Sequence, residues 1–464
     1  MQLTFHGAAR EVTGSCHVVR VHGKVVLLDG GLFQGRRSEV REKNTTLPVK
    51  PSSIDAVVLS HAHIDHAGRL PYFVRRGFHG PIFATPATKD LCRVMLTDSA
   101  HIQEKDAAFL ARRKREHHEP LYDRRDVDAT IKAMIGEAYG DWFEVVPGLR
   151  AQFIEAGHIL GSASVVLEWS EGQSSRRLAF SGDIGRAGLS IIRDPVPPQS
   201  VDAVIMESTY GNREHAGIDG TRDRLAEVVI ATAARGGKIF IPAFAVGRTQ
   251  ELIYSLHELV RANRIPKIPI VIDSPLAIRA TKVFTEHAEL FDSGESLVQA
   301  FAAKPSDTLH SDLVEYAESA DESKAAMRRN GPMVVVAASG MVESGRILHH
   351  LAHGAPDPRN TIMIVGYQAE HTLGRRIVER RPTIRVFGDE VELRANVEVL
   401  NGYSAHAGRT GLLAWHAEVR RTSPNLRHTW LVHGEPEAQD ALAGELNSLG
   451  AVTTCPTAGS QAVV

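Results

Sequence analysis

Residues 61–66 read His-Ala-His-Ile-Asp-His, four metal-competent side chains in six positions. With His and Asp each near ~5% of residues, chance gives such a segment in roughly three of a thousand chains of this length. That is too rare to set aside as an ordinary hydrogen-bonded polar loop. In an extended loop, residues 61 and 63 point the same way, while Asp65 and His66 turn toward a second position. Imidazoles and carboxylates without thiolates suit zinc in an open, catalytic site. Such a site needs further ligands, and the candidates are His158, Asp183 and His433. Each follows a strand-like run and abuts glycine, so backbone can crowd the ions. Any one alone would be an ordinary satisfied polar residue; their shared placement at strand ends sets them apart.

The elements that must position these groups follow from patterning. Residues 18–21 and 24–28 read as strands, the second ending at Asp29-Gly30-Gly31. Residues 54–59 form a β-branched run that delivers the His cluster at its carboxyl end, where α/β folds place their sites. Residues 86–140 read as largely helical. Within them, 104–125 is dense in charge, including Arg112, Arg113, Lys114 and Arg115. This stretch reads as a solvated helix face, with a lid or phosphate-contacting arm as the alternative. Strands return at 150–155, 163–169, 177–181 and 203–206. From 210 to about 373 strands and helices alternate (238–241, 250–263, 268–272, 333–337, 361–365), the texture of a parallel α/β domain. Short strands at 383–387 and 390–393, a helix near 408–418 and a strand at 429–432 follow. One domain interrupted by another is the simplest account: 1–207 and 375–464 around an insertion at 208–374.

Composition bounds the function. The formal charge is −2, so no global field draws a polyanion, and attraction must come from local patches or from metals. The three cysteines, Cys16, Cys92 and Cys455, are too few and scattered for a disulfide framework and fit a reducing cytosol. No apolar run approaches the ~20 residues of a membrane span, and a cytoplasmic protein without membrane attachment is expected.

Asp29, the 61–66 cluster, His158 and Asp183 resemble, in order, the four motifs of the metallo-β-lactamase superfamily. Glu207-Ser208-Thr209-Tyr210-Gly211, Tyr403-Ser404-Ala405-His406 and Leu431-Val432-His433-Gly434 resemble the three further motifs of its β-CASP group, which includes RNA-processing nucleases. The segments around Gly14-Ser15-Cys16, Ala338-Ser339-Gly340-Met341 and Gly366-Tyr367-Gln368 agree, so the likeness spans about residues 3–436. The resemblance implies an α/β architecture: a metallo-β-lactamase αββα sandwich with an inserted α/β β-CASP domain. It implies two Zn2+ per chain, with His61, His63 and His158 on the first, Asp65, His66 and His433 on the second, and Asp183 bridging. Asp29 would stand behind the ligands and orient one of them. RNA-cutting members of the group carry histidine in the last motif and DNA-repair members an apolar residue, so His433 favours RNA. A homodimer is compatible with the resemblance. Relatives often carry glycine where this chain has His371, which puts fine specificity in doubt.

The expected activity is hydrolysis of phosphodiester bonds in single-stranded RNA, internal or from an end. Two zincs would acidify water toward pKa ~7 to give a bridging hydroxide, and would clamp phosphoryl oxygens. His406 is the expected general acid, with Glu207 holding its imidazole; Asp65 counts as both ligand and catalytic group. Ser339, Gly340, Thr372 and Arg375 are expected phosphate contacts in a narrow cleft closed by the inserted domain. A thioester or lactone hydrolase on the same scaffold, a DNA-processing nuclease and a non-catalytic RNA-binding scaffold are the alternatives. The large insertion argues against the first, His433 against the second, and the seven filled ligand positions against the third.

Overall fold

The computed structural model describes all residues except 36, 115–118, 173, 216, 293–312, 367 and 369–371. Arg115 and His371 therefore lie outside the described residues, as do the side chains of Arg112, Arg113 and Lys114. The chain forms two compact units. The first comprises Met1–Ala187, Asp194–Glu214 and His406–Val464; the second, Gly188–Arg193 and His215–Ala405.

The first unit is built on two seven-stranded sheets. One runs, in spatial order, Gln461–Val463, Gln2–Gly7, Cys16–Val21, Lys24–Leu28, Ala56–Val58, Ile82–Ala84 and Met134–Gly136. The other runs Thr453–Thr454, His428–Val432, Ala203–Glu207, Ser174–Phe180, Ala163–Glu171, Leu149–Glu155 and Trp142–Val146. Alternation along these strands turns Leu3, Phe5, Val19, Val26, Leu28 and Val58 of the first sheet toward Phe153, Val165, Leu167, Leu178, Phe180 and Ile205 of the second. Each such side chain contributes about 1.5–3 kcal/mol on burial. The opposite face of the second sheet carries Val166, Ala179, Val204, Met206 and Leu431. It is covered by Leu412, Trp415 and Val419 of helix Arg409–Thr422 and by Leu442 and Leu446 of helix Pro436–Ser448. Helices Leu70–Arg75, Pro86–Lys114 and Arg124–Ala133 pack together beside the first sheet. The layering is helix, sheet, sheet, helix.

Register brings the polar strand ends to one edge of this sandwich. Leu28 pairs with Val58, so Asp29 and the 61–66 segment leave neighbouring parallel strands together. In the second sheet Glu155 lies opposite Ala163, Phe180 lies opposite Val165 and beside Ile205, and Glu207 lies beside Val432. His158, Asp183, Glu207 and His433 thus emerge at a common edge although 275 residues separate the first from the last in sequence.

The second unit holds a six-stranded parallel sheet in the order Val314–Tyr316, Ile270–Ile272, Met333–Ala337, Lys238–Pro242, Thr361–Ile364, Asn396–Val399. Its central strands, such as Met-Val-Val-Val-Ala at 333–337, are buried throughout, as a parallel sheet covered on both faces requires. A hairpin, Thr383–Val386 with Asp389–Glu392, lies outside that sheet.

Candidate metal centre

The first unit gathers nearly every titratable group singled out above. His61 Nε2 and His158 Nε2 each lie 3.1 Å from His63 Nδ1, and each lies 3.4 Å from Asp183 Oδ2. On the other side of Asp183, His66 Nε2 lies 3.2 Å from Oδ1 and 3.2 Å from His433 Nε2, which is 3.5 Å from Asp65 Oδ2. The ligand-capable atoms fall into two sets, His61, His63, His158 and Asp183, and Asp65, His66 and His433, each within 4.8 Å of one another. Asp183 has one oxygen toward each.

These separations pass a direct test of fit. Tetrahedral donors ~2.0–2.1 Å from a zinc ion stand about 3.3 Å apart, and the four edges of the first set run from 3.1 to 3.4 Å. Asp183 Oδ1 is buried and accepts no hydrogen bond among the described residues, an orphaned carboxylate oxygen that a cation would satisfy. Lone pairs of neutral imidazoles converging at this range repel unless a proton or a metal lies between them. The residues present fit a metal.

Local hydrogen bonding fixes the ring orientations. Asp29 sits in the left-handed region, φ +61°, with its carboxylate fully buried. Its Oδ2 accepts from His66 Nδ1 at 2.7 Å and from the hydroxyls of Ser15 and Ser60 at 3.0 Å, and its Oδ1 accepts from Ser60 N at 2.8 Å. With Nδ1–H committed to Asp29, His66 turns Nε2 toward the cluster, the nitrogen that a metal ion would take in place of a proton. Ser60 Oγ also lies 3.1 Å from His61 Nδ1. Thr209 Oγ1 lies 3.0 Å from His433 Nδ1, and His433 too has a left-handed backbone, φ +50°. Two non-glycine residues in this region at one site mark backbone held by its surroundings. Sequence reading did not single out Ser60 or Thr209 individually. The available signal was position, since each is a hydroxyl adjoining a motif residue.

Charge in the cluster is strongly redistributed. Burial drives the His63 ring down to about 3, helped by His61. Burial would raise Asp183, but His433, His66 and His61 around it hold its carboxyl well below the usual range. Burial would lower His66, yet Asp183 and Asp29 hold it well above 6.5. His406 behaves similarly: against desolvation, Glu207 and Asp183 raise it to about 9. Its Nδ1 is 3.1 Å from Glu207 Oε1 and its Nε2 3.9 Å from Asp183 Oδ2. Glu207 is anchored by the amides of Ile184 at 2.7 Å and Thr209 at 3.1 Å.

The remaining expected site residues lie in the second unit. Ser339 follows strand Met333–Ala337, and its Oγ accepts from the amides of Glu343 and Ser344. The carbonyl of Gly340 accepts from Gln368. Thr372 caps helix Leu373–Val378 through a bond to Arg375 N, and the Arg375 guanidinium pairs with Glu379 at 3.0 Å. Ser339, Gly340 and Thr372 lie in the connections that follow the carboxyl ends of parallel strands, where such sheets bind ligands, and Arg375 lies in the first turn of the helix that Thr372 caps.

Two facing sheets that deliver a His/Asp cluster to one edge form a metallo-hydrolase scaffold, and comparison with known proteins agrees. The chain matches the metallo-β-lactamase superfamily over residues 9–216, the Beta-Casp domain over 249–377 and the Zn-dependent metallo-hydrolase RNA specificity domain over 390–455. It is 39% identical to Ribonuclease TTHA0252 of Thermus thermophilus over 97% of this chain and 96% of that one. It is 31% identical to the transcription termination factor FttA of Pyrococcus abyssi over 94% of this chain and 67% of that one. A crystal structure of a protein of unknown function from Enterococcus faecalis V583 shares the fold, with TM-score 0.56, 12% identity and coverage of 100% and 99% of the two chains. The chain belongs to the β-CASP family of the metallo-β-lactamase superfamily.

Proposed function

We propose that this protein is a zinc-dependent ribonuclease that hydrolyses phosphodiester bonds of single-stranded RNA, holding two zinc ions per chain. The observation that carries the reading is Asp183, whose two oxygens face two separate histidine sets, with the His406–Glu207 pair beside it. The RNA assignment draws support from the match to an RNA specificity domain and from the ribonuclease at 39% identity.

His61, His63 and His158 would hold one ion, Asp65, His66 and His433 the other, and Asp183 both. Bound zinc supplies Lewis-acid polarisation of a phosphoryl oxygen and acidifies water toward pKa ~7. The protein supplies the rest. Asp29, Ser60 and Thr209 lock the ligand rings, so the centre needs little rearrangement. His406 holds the proton for the leaving oxygen. Its Nδ1–H is committed to Glu207, which leaves Nε2 to carry the transferable proton on the side facing Asp183. Its side chain is 21% exposed, whereas those of His61, His66 and His158 are 1% or less. Substrate can therefore reach His406 while His61, His66 and His158 stay shielded; Asp65, at 23%, is open on the same scale. Ser339, Gly340, Thr372 and Arg375 are proposed as phosphate contacts; Arg375 would exchange its solvent-screened surface pair with Glu379 for the phosphate.

A cytosolic setting belongs to the same proposal, supported by three unpaired cysteines. No helix among the described residues is long and apolar enough to cross a membrane. Homodimerisation, proposed from the family likeness, is open to sedimentation analysis. The direct test of substrate class offers the zinc-loaded protein labelled single-stranded RNA, duplex RNA, single-stranded DNA and a thioester. Cleavage of the single-stranded RNA at a rate well above the others is expected. Preferential turnover of DNA or of the thioester would replace the reading with one of those activities.

A further inference from the structure

The second unit contains a cavity of about 320 Å³ at the amino ends of its central strands. Lys238 opens strand Lys238–Pro242, residues 326–331 lead into strand Met333–Ala337, and residues 357–360 lead into strand Thr361–Ile364. Its walls present four cations, Lys238, Arg328, Arg329 and Arg359, against one carboxylate, Asp357. Asp357 is already engaged by Arg359 at 2.7 Å, and Arg329 is held by Glu315.

Lys238 has no such partner. One of its three donors reaches the carbonyl of Met327 at 2.8 Å, and it forms no ion pair among the described residues. Burial lowers its pKa, and the neighbouring positive charge of Arg329 lowers it further. Partly buried ammonium groups are ordinarily paired. His350 completes the wall: it is 2% exposed, its Nε2 is taken by Asp273 at 2.6 Å, and its Nδ1 is buried without a partner.

The plain alternative is that basic residues here complement the carboxyl ends of helices Ala320–Arg328 and Ile347–Gly354. That accounts for Arg328 and for one donor of Lys238. It leaves two ammonium donors and the excess of positive charge unexplained.

We propose that this cavity binds a phosphate group, carried by a nucleotide or by a nucleic-acid backbone, with Lys238 as its central charge and Arg328 and Arg359 at its rim. Its volume sits at the lower end of small-ligand pockets, ~300–1,000 Å³, which suits a mononucleotide or one nucleotide of a chain. Its lining includes no residue of the metal centre and none of Ser339, Gly340, Thr372 and Arg375, which lie beyond the carboxyl ends of the strands, and the proposal does not rest on the hydrolytic reading.

The test is calorimetric titration of the full chain carrying Asp183→Asn, stripped of metal with a chelator so that phosphate at the metal centre does not contribute, with inorganic phosphate and with AMP as probes. A partner variant adds Lys238→Met. One site per chain is expected, weakened at least tenfold by Lys238→Met. Tighter binding of AMP than of phosphate identifies a nucleotide site. Equal competition by an oligonucleotide lacking a terminal phosphate identifies a backbone contact. A thermal melt of Lys238→Met in the otherwise native chain reads the same claim without the Asp183 change: Tm holds or rises, and the Tm shift given by phosphate is smaller than in the parent. No binding of either probe, binding indifferent to Lys238→Met, or a lowered Tm with unchanged binding would overturn the proposal and leave Lys238 as a tie for the helix end.

Discussion

His406 differs from the other histidines of the centre in what its ring nitrogens face. Glu207 takes one, and the other looks toward Asp183 without being caged. If it is the proton donor, His406→Ala should retain the metals and lose about 10²–10⁴-fold in turnover. Steady-state cleavage set beside metal content checks this, and full turnover at full metal content would refute it. The sign of the pH effect follows from its raised value of about 9: the acid form is present below that pH, and activity should fall as pH rises through the folded value, which bound cations bring lower. His17 tests a different property. It is fully buried between Phe5 and Phe180, and neither ring nitrogen has a partner. Burial lowers its pKa to about 3. The unfolded chain gains this proton near ~6.5 and the folded one does not, so the titration of His17 contributes nothing above that pH and destabilises progressively between ~6.5 and 3, by at most ~1.4 kcal/mol per pH unit. Urea unfolding should show wild type losing more stability than His17→Leu on acidification, and parallel pH curves would contradict the assignment. The 61–66 cluster was legible because its ligands are contiguous. The isolation of His17 and the Ser60 and Thr209 hydrogen bonds were not, because each depends on strands brought together from distant parts of the chain.

At the scale of elements, the ligand loops are held by backbone approach as much as by side chains. A Cβ on Gly185 would overlap the carbonyl of Gly157, and Gly185 N donates to Ala156 O at 2.7 Å. These two turns carry Asp183 and His158. Gly185→Ala should push them apart, lower metal occupancy and cost about 1–3 kcal/mol, read by metal analysis and by Tm; a variant that binds metal normally would show that the contact is incidental. The strands named from patterning are present with shifted boundaries, whereas the short strands Ile82–Ala84, Trp142–Val146 and Val314–Tyr316 carry too little pattern to be read. The run read as a strand at 54–59 shortens to Ala56–Val58 because a 3-10 turn precedes it and Asp55 accepts from Val25 N. The strand read at 177–181 begins earlier, at Ser174, in polar residues that pair across a hairpin. The helical stretch at 86–140 is divided by the capping box of Asp123 and Asp126 and ends in strand Met134–Gly136. Strand Asn396–Val399 pairs into the second unit's sheet from beyond residue 374. Its short, half-polar sequence gives no sign of which sheet it joins.

For the whole molecule, a first unit assembled from three chain segments is what lets His61 and His433 share a site, and the segments meet only when both sheets form. Metal binding to the assembled edge should therefore be linked to folding. The most direct test of the account is metal analysis of the purified chain beside cleavage of end-labelled single-stranded RNA, for wild type and for Asp183→Ala. Two zinc ions per wild-type chain with efficient cleavage are expected, and at most one ion with at least ~10³-fold slower cleavage in the variant. A wild-type chain that binds no divalent metal, or an Asp183→Ala chain that cuts RNA as well as the parent, would contradict it.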